Sequence, residues 1–313
     1  MSWFDPGLTV AGLVIGFVVG LTGMGGGALM TPVLVLIFKV DALTAVSSDL
    51  VVSLFMKPAG AIVHLRRRTV DLRLVGWLCV GSVPAAFSGI AILRFLPQVT
   101  NLSALIKVCT GVALIIAASG LALQMITRYV QNRNGLTGAG AAIGTVRIRP
   151  LPTVLLGAAG GLIVGLTSVG AGSIIVVVLL FLYPSLRANR LVGTDLVQAI
   201  PLVASATLAH LLFGSVSFAT AASLLIGAIP AVWLGARSSS RAPERVIKAA
   251  LFVLLLASGA SLLGLPTFVV LIIGGAALIV VLATGLGAIL LRRRNPPPEA
   301  QPEHGAVASE DSG

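Results

Sequence analysis

The sequence predicts an all-α fold: a polytopic bundle of membrane helices built from two inverted repeats. Its composition is 57% hydrophobic and 10% charged, with a mean hydropathy of +1.06, far from globular averages. Several apolar stretches reach the roughly 20 residues that cross a bilayer. A glycine-rich interruption occurs twice, and the same residues follow each copy. No stretch alternates strictly between polar and apolar residues, as the strands of a membrane barrel do, so helices must satisfy the backbone in lipid.

The apolar stretches set the predicted order of elements. Seven of them are long enough to span the bilayer: 44–64, 72–93, 103–127, 190–212, 217–236, 246–264 and 267–291. They group into membrane repeat one (1–127), a cytoplasmic linker loop (128–151), membrane repeat two (152–264), an additional transmembrane helix (265–291) and a cytoplasmic tail (292–313). The tail is expected to be disordered, because its polar, proline-rich composition cannot bury a core.

The two glycine-rich interruptions are the strongest functional signal. Residues 20–27 read GLTGMGGG, and residues 165–172 read GLTSVGAG, 145 positions later. Further matches hold at a spacing of 146: Asp49 with Asp195, His64 with His210, Pro84 with Pro230, Gly89 with Gly235 and Pro97 with Pro243. Interrupted segments at corresponding places in the two halves of a membrane protein indicate a transporter's binding site.

Basic residues orient the spans, since cytoplasmic loops of membrane proteins carry an excess of Lys and Arg. The basic clusters within 66–73, 128–149, 237–248 and 292–294 are therefore placed in the cytoplasm. The C-terminus joins them there, in a multi-pass membrane protein. These positions agree only if 152–183 enters and leaves on the cytoplasmic side, and 8–38 does so from outside. Each repeat then opens with a re-entrant helical hairpin, and the repeats are inverted about an axis in the membrane plane.

The interruptions are predicted to bind an anion. A helix that begins after an interruption has unpaired N–H groups and a partial positive charge at its N-terminus. Glycine permits close backbone approach, and nearby hydroxyls add hydrogen-bond donors. The predicted substrate-binding residues are Thr22, Gly23, Gly25, Gly26 and Gly27 in repeat one, and Thr167, Ser168, Gly170 and Gly172 in repeat two. The alternative is that these small residues only allow tight helix packing.

Lys57 completes the predicted substrate site. It lies near the middle of the span 44–64, where a charge costs about 3 kcal/mol on insertion scales. Such a residue is expected to face a cavity or a partner, and a counter-charge for an anion is the functional interpretation. A pair with Asp49 in the same helix is the alternative, although eight residues correspond to about 12 Å of helical rise. Repeat two has Val203 at the matching place, so the cation is not duplicated.

Four matched ionisable residues are candidates for coupling transport to an ion. Asp49 and Asp195 recur within the motifs SDL and TDL, near the start of their helices. Carboxylates there could instead complement the helix dipole. His64 and His210 lie where their helices leave the membrane, and histidine titrates most easily near neutral pH. A polar anchor at the interface is the alternative for both histidines.

The sequence argues against several other classes of protein. Cys79 and Cys109 are isolated within spans and form neither a disulfide framework nor a zinc site. No Ser-His-Asp set, His/Cys cluster or P-loop is visible, so we expect no enzymatic activity, cofactor or metal. The net charge of +11 fits membrane topology better than nucleic-acid binding, since there is no soluble domain to carry a basic surface. The expected partners are a small anionic substrate and the lipid bilayer, and a homo-oligomer stays open.

These motifs together resemble the TauE/SafE family of sulfite exporter-like membrane permeases. In the first half the resemblance rests on 20–27 followed by an apolar run and Pro32, on Ser48, Asp49 and Leu50 with Lys57, and on His64 before the exit 69–71 (TVD). In the second half it rests on 165–172, on 192–196 (VGTDL) and on His210 before 214–216 (GSV). The matching motifs cover about residues 8–264. Family members often have Gly before the TVD exit, where this chain has Arg68.

The resemblance implies an inner-membrane permease for small anions such as sulfite, sulfoacetate and related organosulfur compounds. We therefore predict a secondary transporter of a small anion, sulfite or an organosulfonate first, that works by alternating access at paired half-helix sites. The alternative is a cation- or metal-related permease that uses Asp49 and Asp195 as ligands. A third class, a non-transporting membrane scaffold, predicts that replacing Gly25 and Gly26 with Ala leaves function intact.

Overall fold

The computed structural model describes residues 4–22, 26–66, 70–95, 101–133, 148–169, 172–183, 186, 188–238 and 244–276. These residues form helices joined by short connections, without a strand in the described ranges. The helices are α1 (Pro6–Thr22), α2 (Gly27–Leu36), α3 (Ala42–Arg66), α4 (Leu72–Phe95), α5 (Leu102–Arg133), α6 (Pro150–Thr167), α7 (Gly172–Leu182), α8 (Ala188–Phe213), α9 (Phe218–Ser238) and α10 (Glu244–Leu262). The all-helical prediction is confirmed.

Five of the described helices are long and apolar enough to cross a membrane. They are Leu72–Phe95, Leu102–Ile126, Pro150–Thr167, Gly193–Phe213 and Phe218–Ser238. The third was predicted as half of an interrupted segment, yet its 18 residues reach this length on their own. The predicted span 267–291 begins as the apolar helix Thr267–Ala276. The rest of that span, the tail 292–313 and most of the linker lie outside the described residues.

Both interruptions occur where the sequence predicts them, and each divides a segment into two helices. In repeat one, α1 ends at Thr22 and α2 begins at Gly27. In repeat two, α6 ends at Thr167 and α7 begins at Gly172. The matching positions make α1 to α5 equivalent to α6 to α10.

Small residues let α1 pack closely against α9. A Cβ at Gly16 would lie 2.7 Å from the carbonyl oxygen of Ala228, and one at Gly12 would overlap the carbonyl of Leu224. Such backbone contact is typical of small-residue stripes in membrane helices. Both residue numbers rise together along the contact, so α1 and α9 run parallel.

The equivalent helices make the reciprocal contact, because α6 packs against α4 in the same way. A Cβ at Gly161 would lie 2.7 Å from the Cα of Ser82, and one at Gly165 would lie 2.9 Å from the Cα of Ala86. These helices also run parallel. Gly16 and Gly161 are equivalent at a spacing of 145, so the repeat reproduces this packing in each half.

The equivalent helices α3 and α8 lie against each other in antiparallel directions. Thr207 donates a hydrogen bond to the carbonyl oxygen of Leu50 at 3.1 Å. Nearer the end of α8, His210 bonds to Ser47, so residue numbers rise in one helix as they fall in the other. The pair α5 and α10 is also antiparallel, since Gly259 packs on Gly111 and Lys248 bonds to Gln124.

Two hydrogen bonds at the ends of this helix pair are made twice by equivalent residues. The hydroxyl of Ser48 accepts a bond from the N–H of Ser217 at 3.1 Å. The hydroxyl of Thr194 accepts a bond from the N–H of Asp71, also at 3.1 Å. Ser48 matches Thr194, and Asp71 matches Ser217, at the spacing of 146. The contact between the halves is therefore reciprocal, as in an isologous dimer.

In each interrupted segment, the end of the second helix lies beside the start of the first. Tyr183, directly after α7, accepts a hydrogen bond from the N–H of Arg149 at 2.9 Å. Its hydroxyl also bonds to that of Thr153 at 2.7 Å. In repeat one, a Cβ at Gly7 would lie 3.3 Å from the ring of Phe38, the residue equivalent to Tyr183. Each segment therefore returns to the level at which it begins.

The buried core forms two clusters, and each contains helices from both repeats. The first cluster surrounds α2 with residues from α1, α5, α9 and α10. The second surrounds α7 with residues from α4 and α8. Helix α3 contributes to both clusters. Large apolar side chains on the outside, such as Phe95 and Phe181, are exposed in the chain and provide a surface for lipid.

Candidate functional site

The two interruptions meet inside the molecule. A Cβ at Gly27, the first residue of α2, would overlap the carbonyl oxygen of Ser168 and lie 3.0 Å from its hydroxyl oxygen. On its other side, the same helix end faces α3. A Cβ at Gly26 would lie 3.4 Å from Ser53 Oγ and 3.5 Å from Met56 Sδ. The N-terminus of α2 therefore lies between the second interruption and the part of α3 that carries Ser53 and Met56.

This helix N-terminus is not capped by a protein side chain. Gly26 occupies the cap position with φ −71° and ψ −34°, and it has no side chain that could accept a bond. The first turn of any helix has N–H groups without partners in the helix, and its dipole favours a negative charge there. Gly27 and Gly172 each begin the second half of an interrupted segment. Gly23, Gly25 and Gly170 lie outside the described residues.

Ser168 caps the C-terminus of α6 in a left-handed conformation, with φ 55° and ψ −7°. Its N–H donates to the carbonyl of Val164 at 2.8 Å. The side chain is only 2% exposed, and its hydroxyl oxygen makes no hydrogen bond of full geometry to a described residue, although it faces the carboxylate of Asp49. A buried polar group without a well-formed hydrogen bond costs about 1–3 kcal/mol. The hydroxyl of Ser168 is therefore placed to bond to a ligand.

The hydroxyls of Thr22 and Thr167 bond to their own helices. Thr22 donates to the carbonyl oxygen of Val18 at 2.9 Å. Thr167 donates to the carbonyl oxygen of Ile163 at 2.6 Å and accepts from the N–H of Val169 at 3.2 Å. A hydroxyl has one proton to donate, and here it satisfies a backbone carbonyl near the helix end. The hydroxyls of Thr22 and Thr167 thus bond to the backbone at the helix ends next to the two interruptions. Of the three predicted hydroxyl residues, Ser168 is the one whose hydroxyl makes no hydrogen bond of full geometry to a described residue.

Asp49 is fully buried on α3 and is held by hydroxyls. Thr31 of α2 donates to one carboxylate oxygen at 2.8 Å, and Ser53 donates to the other at 3.4 Å. The sequence analysis did not single out Thr31, whose only signal is its position one turn after Gly27. The hydrogen bond from Thr31 to Asp49 links α2 to α3 close to the place where the two interruptions meet.

Lys57 lies between the two matched carboxylates. Asp195 and, less strongly, Asp49 are the charged groups that act on its ammonium. No ion pair joins Lys57 to either carboxylate within the described part of the chain. Lys57 is 8% exposed and Asp195 is 7% exposed, whereas Asp49 is 0% exposed. The antiparallel packing of α3 and α8 thus places one cation and two anions in the protein interior.

The helix-dipole interpretation of the two carboxylates is wrong. Neither α3 nor α8 has an acidic residue in its first turn. The helices begin at Ala42 and Ala188, earlier than the predicted spans, so Asp49 and Asp195 are each the eighth residue. The partial charge of a helix end does not extend beyond the first turn.

His210 is buried at a junction of three helices and is not a surface anchor. Its Nε2 lies 2.7 Å from the carbonyl oxygen of Gly165 at the end of α6, and its Nδ1 lies 2.7 Å from Ser47 Oγ on α3. A carbonyl can only accept, so Nε2 carries a proton. The interfacial-anchor interpretation of His210 is therefore wrong, because helix packing covers the ring. The side chain of His64 lies outside the described residues.

A buried polar atom without a partner among the described residues lies on α8, one turn after Asp195. Gln198 donates through Nε2 to Ser82 Oγ at 2.6 Å, while its Oε1 has no partner among the described residues. The sequence analysis missed Gln198, because repeat one has Val52 at the matching position. The hydrogen bond between Gln198 and Ser82 of α4 is what draws attention to this residue.

Helices able to cross a bilayer, matched interruptions that meet and a buried lysine between two carboxylates define a polytopic membrane protein with the central polar site of a transporter. The family model described as "Sulfite exporter TauE/SafE" matches residues 8–262. The chain belongs to this family of membrane transporters, which confirms the resemblance seen in its motifs.

Three curated relatives from Bacillus subtilis (strain 168) are similar to the chain over most of their length. "Probable membrane transporter protein YjnA" is 35% identical over 257 residues, which cover 82% of this chain and 98% of that protein. "Probable membrane transporter protein YdhB" is 24% identical, with 80% and 96% covered. "Probable membrane transporter protein YunE" is also 24% identical, with 82% and 96% covered. No solved structure matches the chain significantly.

Proposed function

We propose that this transporter is a secondary permease for a small anion, with sulfite or an organosulfonate as the first candidate. The observation that carries this proposal is the buried hydroxyl of Ser168 beside the uncapped N-terminus of α2. Lys57 would add a positive charge from α3, where the preceding residue, Met56, contacts the same helix end. Together these groups offer hydrogen-bond donors and charge, which are what an oxyanion binds. Sulfite is the first candidate because the family is described by it.

We also propose that the repeats are inverted in the membrane. The antiparallel contacts of α3 with α8 and of α5 with α10 support this arrangement. A two-fold axis that relates two touching, antiparallel helices must lie perpendicular to them, and hence in the membrane plane. The parallel contacts of α1 with α9 and of α6 with α4 agree with the same axis. Transporters with inverted repeats bind substrate near the midplane, where the repeats meet.

The interrupted segments are proposed to be re-entrant hairpins. Support comes from Tyr183 beside Arg149 and from Phe38 beside Gly7, since a segment that crossed the membrane could not return to its starting level. Helix α6 is about 27 Å long, and the bilayer midplane lies roughly 20 Å from the headgroup surface, so a tilted helix of this length that begins at the surface reaches the middle. It would therefore bring Ser168 deep into the membrane before the chain turns back. Rocking of one repeat against the other would then expose this centre to each side in turn.

The proposed topology places the C-terminus in the cytoplasm of a bacterial cell, by the distribution of basic residues. Repeat one, the linker and repeat two would then form one transport unit, with the additional helix beside it. Labelling of a single introduced cysteine at the C-terminus, from outside intact cells and after permeabilisation, tests this orientation. Reaction without permeabilisation would contradict it.

Reconstitution tests the proposed substrate class. Purified protein in liposomes is given labelled sulfite, sulfate or the taurine-derived sulfonate isethionate, with protein-free liposomes as the control. We expect time-dependent uptake of at least one of these anions, and its loss in Lys57→Met. Folded wild-type protein that moves none of the three would overturn the anion proposal.

A second candidate, a cation-coupled or metal-related permease, is favoured by one observation. Asp49 gathers the hydroxyls of Thr31 and Ser53, and oxygen ligands of this kind suit a hard cation. This candidate predicts that Asp49→Asn abolishes binding while Lys57→Met is tolerated. The anion proposal predicts a crippling effect of Lys57→Met, so the two variants separate the candidates.

A further inference from the structure

We infer that Asp195 carries one proton with each monovalent anion, and that Lys57 couples the two movements. This inference rests on the proposed anion transport and adds the coupling ion. It assigns the coupling to one of two matched carboxylates. The distinction comes from the different surroundings of Asp195 and Asp49.

Asp49 is stabilised first by hydroxyls, and Lys57 acts on it less strongly. Thr31 and Ser53 donate to its two oxygens, and the bond from Thr31 is short at 2.8 Å. Hydrogen bonds of this kind stabilise a buried carboxylate in its charged form. Asp49 can therefore stay ionised while the site changes its occupant.

Among the described residues, Lys57 is the cation that acts on Asp195. Asp195 has no hydrogen bond to any described residue. Both side chains are buried, where an uncompensated charge costs several kcal/mol. The carboxylate of Asp195 and the ammonium of Lys57 thus compensate each other in the protein without substrate.

The other described cations on α3, α4 and α8 are exposed, and the further buried acid on these helices is Asp49; the side chain of His64 lies outside the described residues. Among the described helices, the main neighbours of α8 are α3, α4, α6 and α7. Neither α6 nor α7 contains an ionisable residue within its bounds. Asp71, before α4, uses its carboxylate to cap that helix at the N–H groups of Arg73 and Leu74. On α8 itself, the ring of His210 is held by Ser47 and Gly165.

The coupling follows from the charge balance of these groups. An anion that binds the ammonium of Lys57 takes the place of Asp195 as its counter-charge. The carboxylate of Asp195 is then buried without compensation, and it binds a proton from the open side. Before binding, the pair has a net charge of zero; afterwards, a protonated carboxyl, an ammonium and a monovalent anion also sum to zero. Release of the anion on the other side leaves the ammonium of Lys57 as the counter-charge of Asp195 again and frees the proton.

Proton counting tests this inference in proteoliposomes. Isethionate is the probe, because its sulfonate keeps one negative charge over the working pH range. A pH-sensitive dye and labelled isethionate report both fluxes together, and we expect about one proton for each anion. Flux is also expected to be unaffected by a potassium diffusion potential set with valinomycin. Anion flux without proton movement, or flux that follows the potential, would overturn the inference while the proposed function stands.

Affinity provides the second measurement and assigns the residue. Wherever Asp195 is ionised in the empty protein, isethionate affinity should fall about tenfold for each unit rise in pH. Asp195→Asn should remove this dependence, because the site can no longer gain a proton. Asp49→Asn should keep it. Loss of the dependence in Asp49→Asn alone would overturn the assignment to Asp195. If the wild-type protein moves no anion at all, both this inference and the proposed function are overturned.

Discussion

Asp49 and Asp195 occupy equivalent positions in equivalent helices, yet their environments differ. Asp49 is enclosed by the hydroxyls of Thr31 and Ser53, and Asp195 faces Lys57 without a hydrogen bond to a described residue. The backbone contacts between the two halves are reciprocal, whereas Lys57 has only Val203 as its counterpart. The comparison indicates that the residues repeated in both halves provide the backbone contacts around the site. Residues found in one half alone, such as Lys57, provide its positive charge.

The largest effect is expected from Lys57→Met. If this cation holds the anion, its loss should reduce isethionate flux by about 10- to 150-fold, since a hydrogen bond to a charged group contributes about 1.5–3 kcal/mol. Flux into proteoliposomes measures the effect. Lys39→Met, at an exposed position outside the site, is the matched control and should transport normally. A fully active Lys57→Met would show that the asymmetry at this position has no role in transport.

Substitutions of the adjacent residues Gly26 and Gly27 test whether the two interruptions are in contact. A Cβ at Gly27 would overlap the backbone carbonyl of Ser168, but one at Gly26 would make ordinary contacts with Ser53 and Met56. Gly27→Ala should therefore destabilise the protein by about 3 kcal/mol or more. Gly26→Ala should stay within about 1 kcal/mol of wild type. Thermal unfolding in detergent compares them, and equal melting temperatures would contradict the meeting of the interruptions.

His210→Ala tests the buried junction between the halves. The substitution leaves the carbonyl of Gly165 and the hydroxyl of Ser47 without their bonds to the ring, which should cost about 1–3 kcal/mol. The melting temperature should fall by several degrees. Gly76→Ala is the control, since its Cβ would meet nothing within 4 Å. An unchanged melting temperature for His210→Ala would mean that the junction adds nothing to stability.

The smallest effect is expected from Ser168→Gly, which makes the second interruption resemble the first at the position of Gly23. Glycine adopts the left-handed conformation of Ser168 without strain, so stability should be kept or slightly raised. Loss of the buried hydroxyl should weaken isethionate binding about fivefold to tenfold, the equivalent of one hydrogen bond. Equilibrium binding and thermal unfolding measure the two effects. Unchanged affinity would remove Ser168 from the site.

The sequence was sufficient to predict the main helices and the two places where a segment is interrupted. The span 44–64 became α3, Ala42–Arg66, and the span 190–212 became α8, Ala188–Phe213. Hydropathy reports lipid contact residue by residue, so it finds such elements directly. The interruptions were equally visible, because glycine clusters break an apolar helix at a definite place. The matched spacing then identified equivalent residues before any contact was known.

The contacts of the site could not be predicted in the same way. His210 bonds to Gly165 and Ser47, and Thr31 bonds to Asp49, because particular helices pack together. An internal repeat shows which residues are equivalent, but it does not show which helices touch. The bonds of Thr22 and Thr167 to their own helices are a different case. They are local, and the general tendency of threonine to bond to the preceding turn could have indicated them.

Equilibrium binding of labelled sulfite to purified protein tests the central claim most directly. The claim is that the joined interruptions and Lys57 form one anion site. It predicts saturable binding of equal affinity in wild type and Lys39→Met, and binding about 10- to 150-fold weaker in Lys57→Met. Sulfite binding of equal affinity in Lys57→Met would contradict the claim.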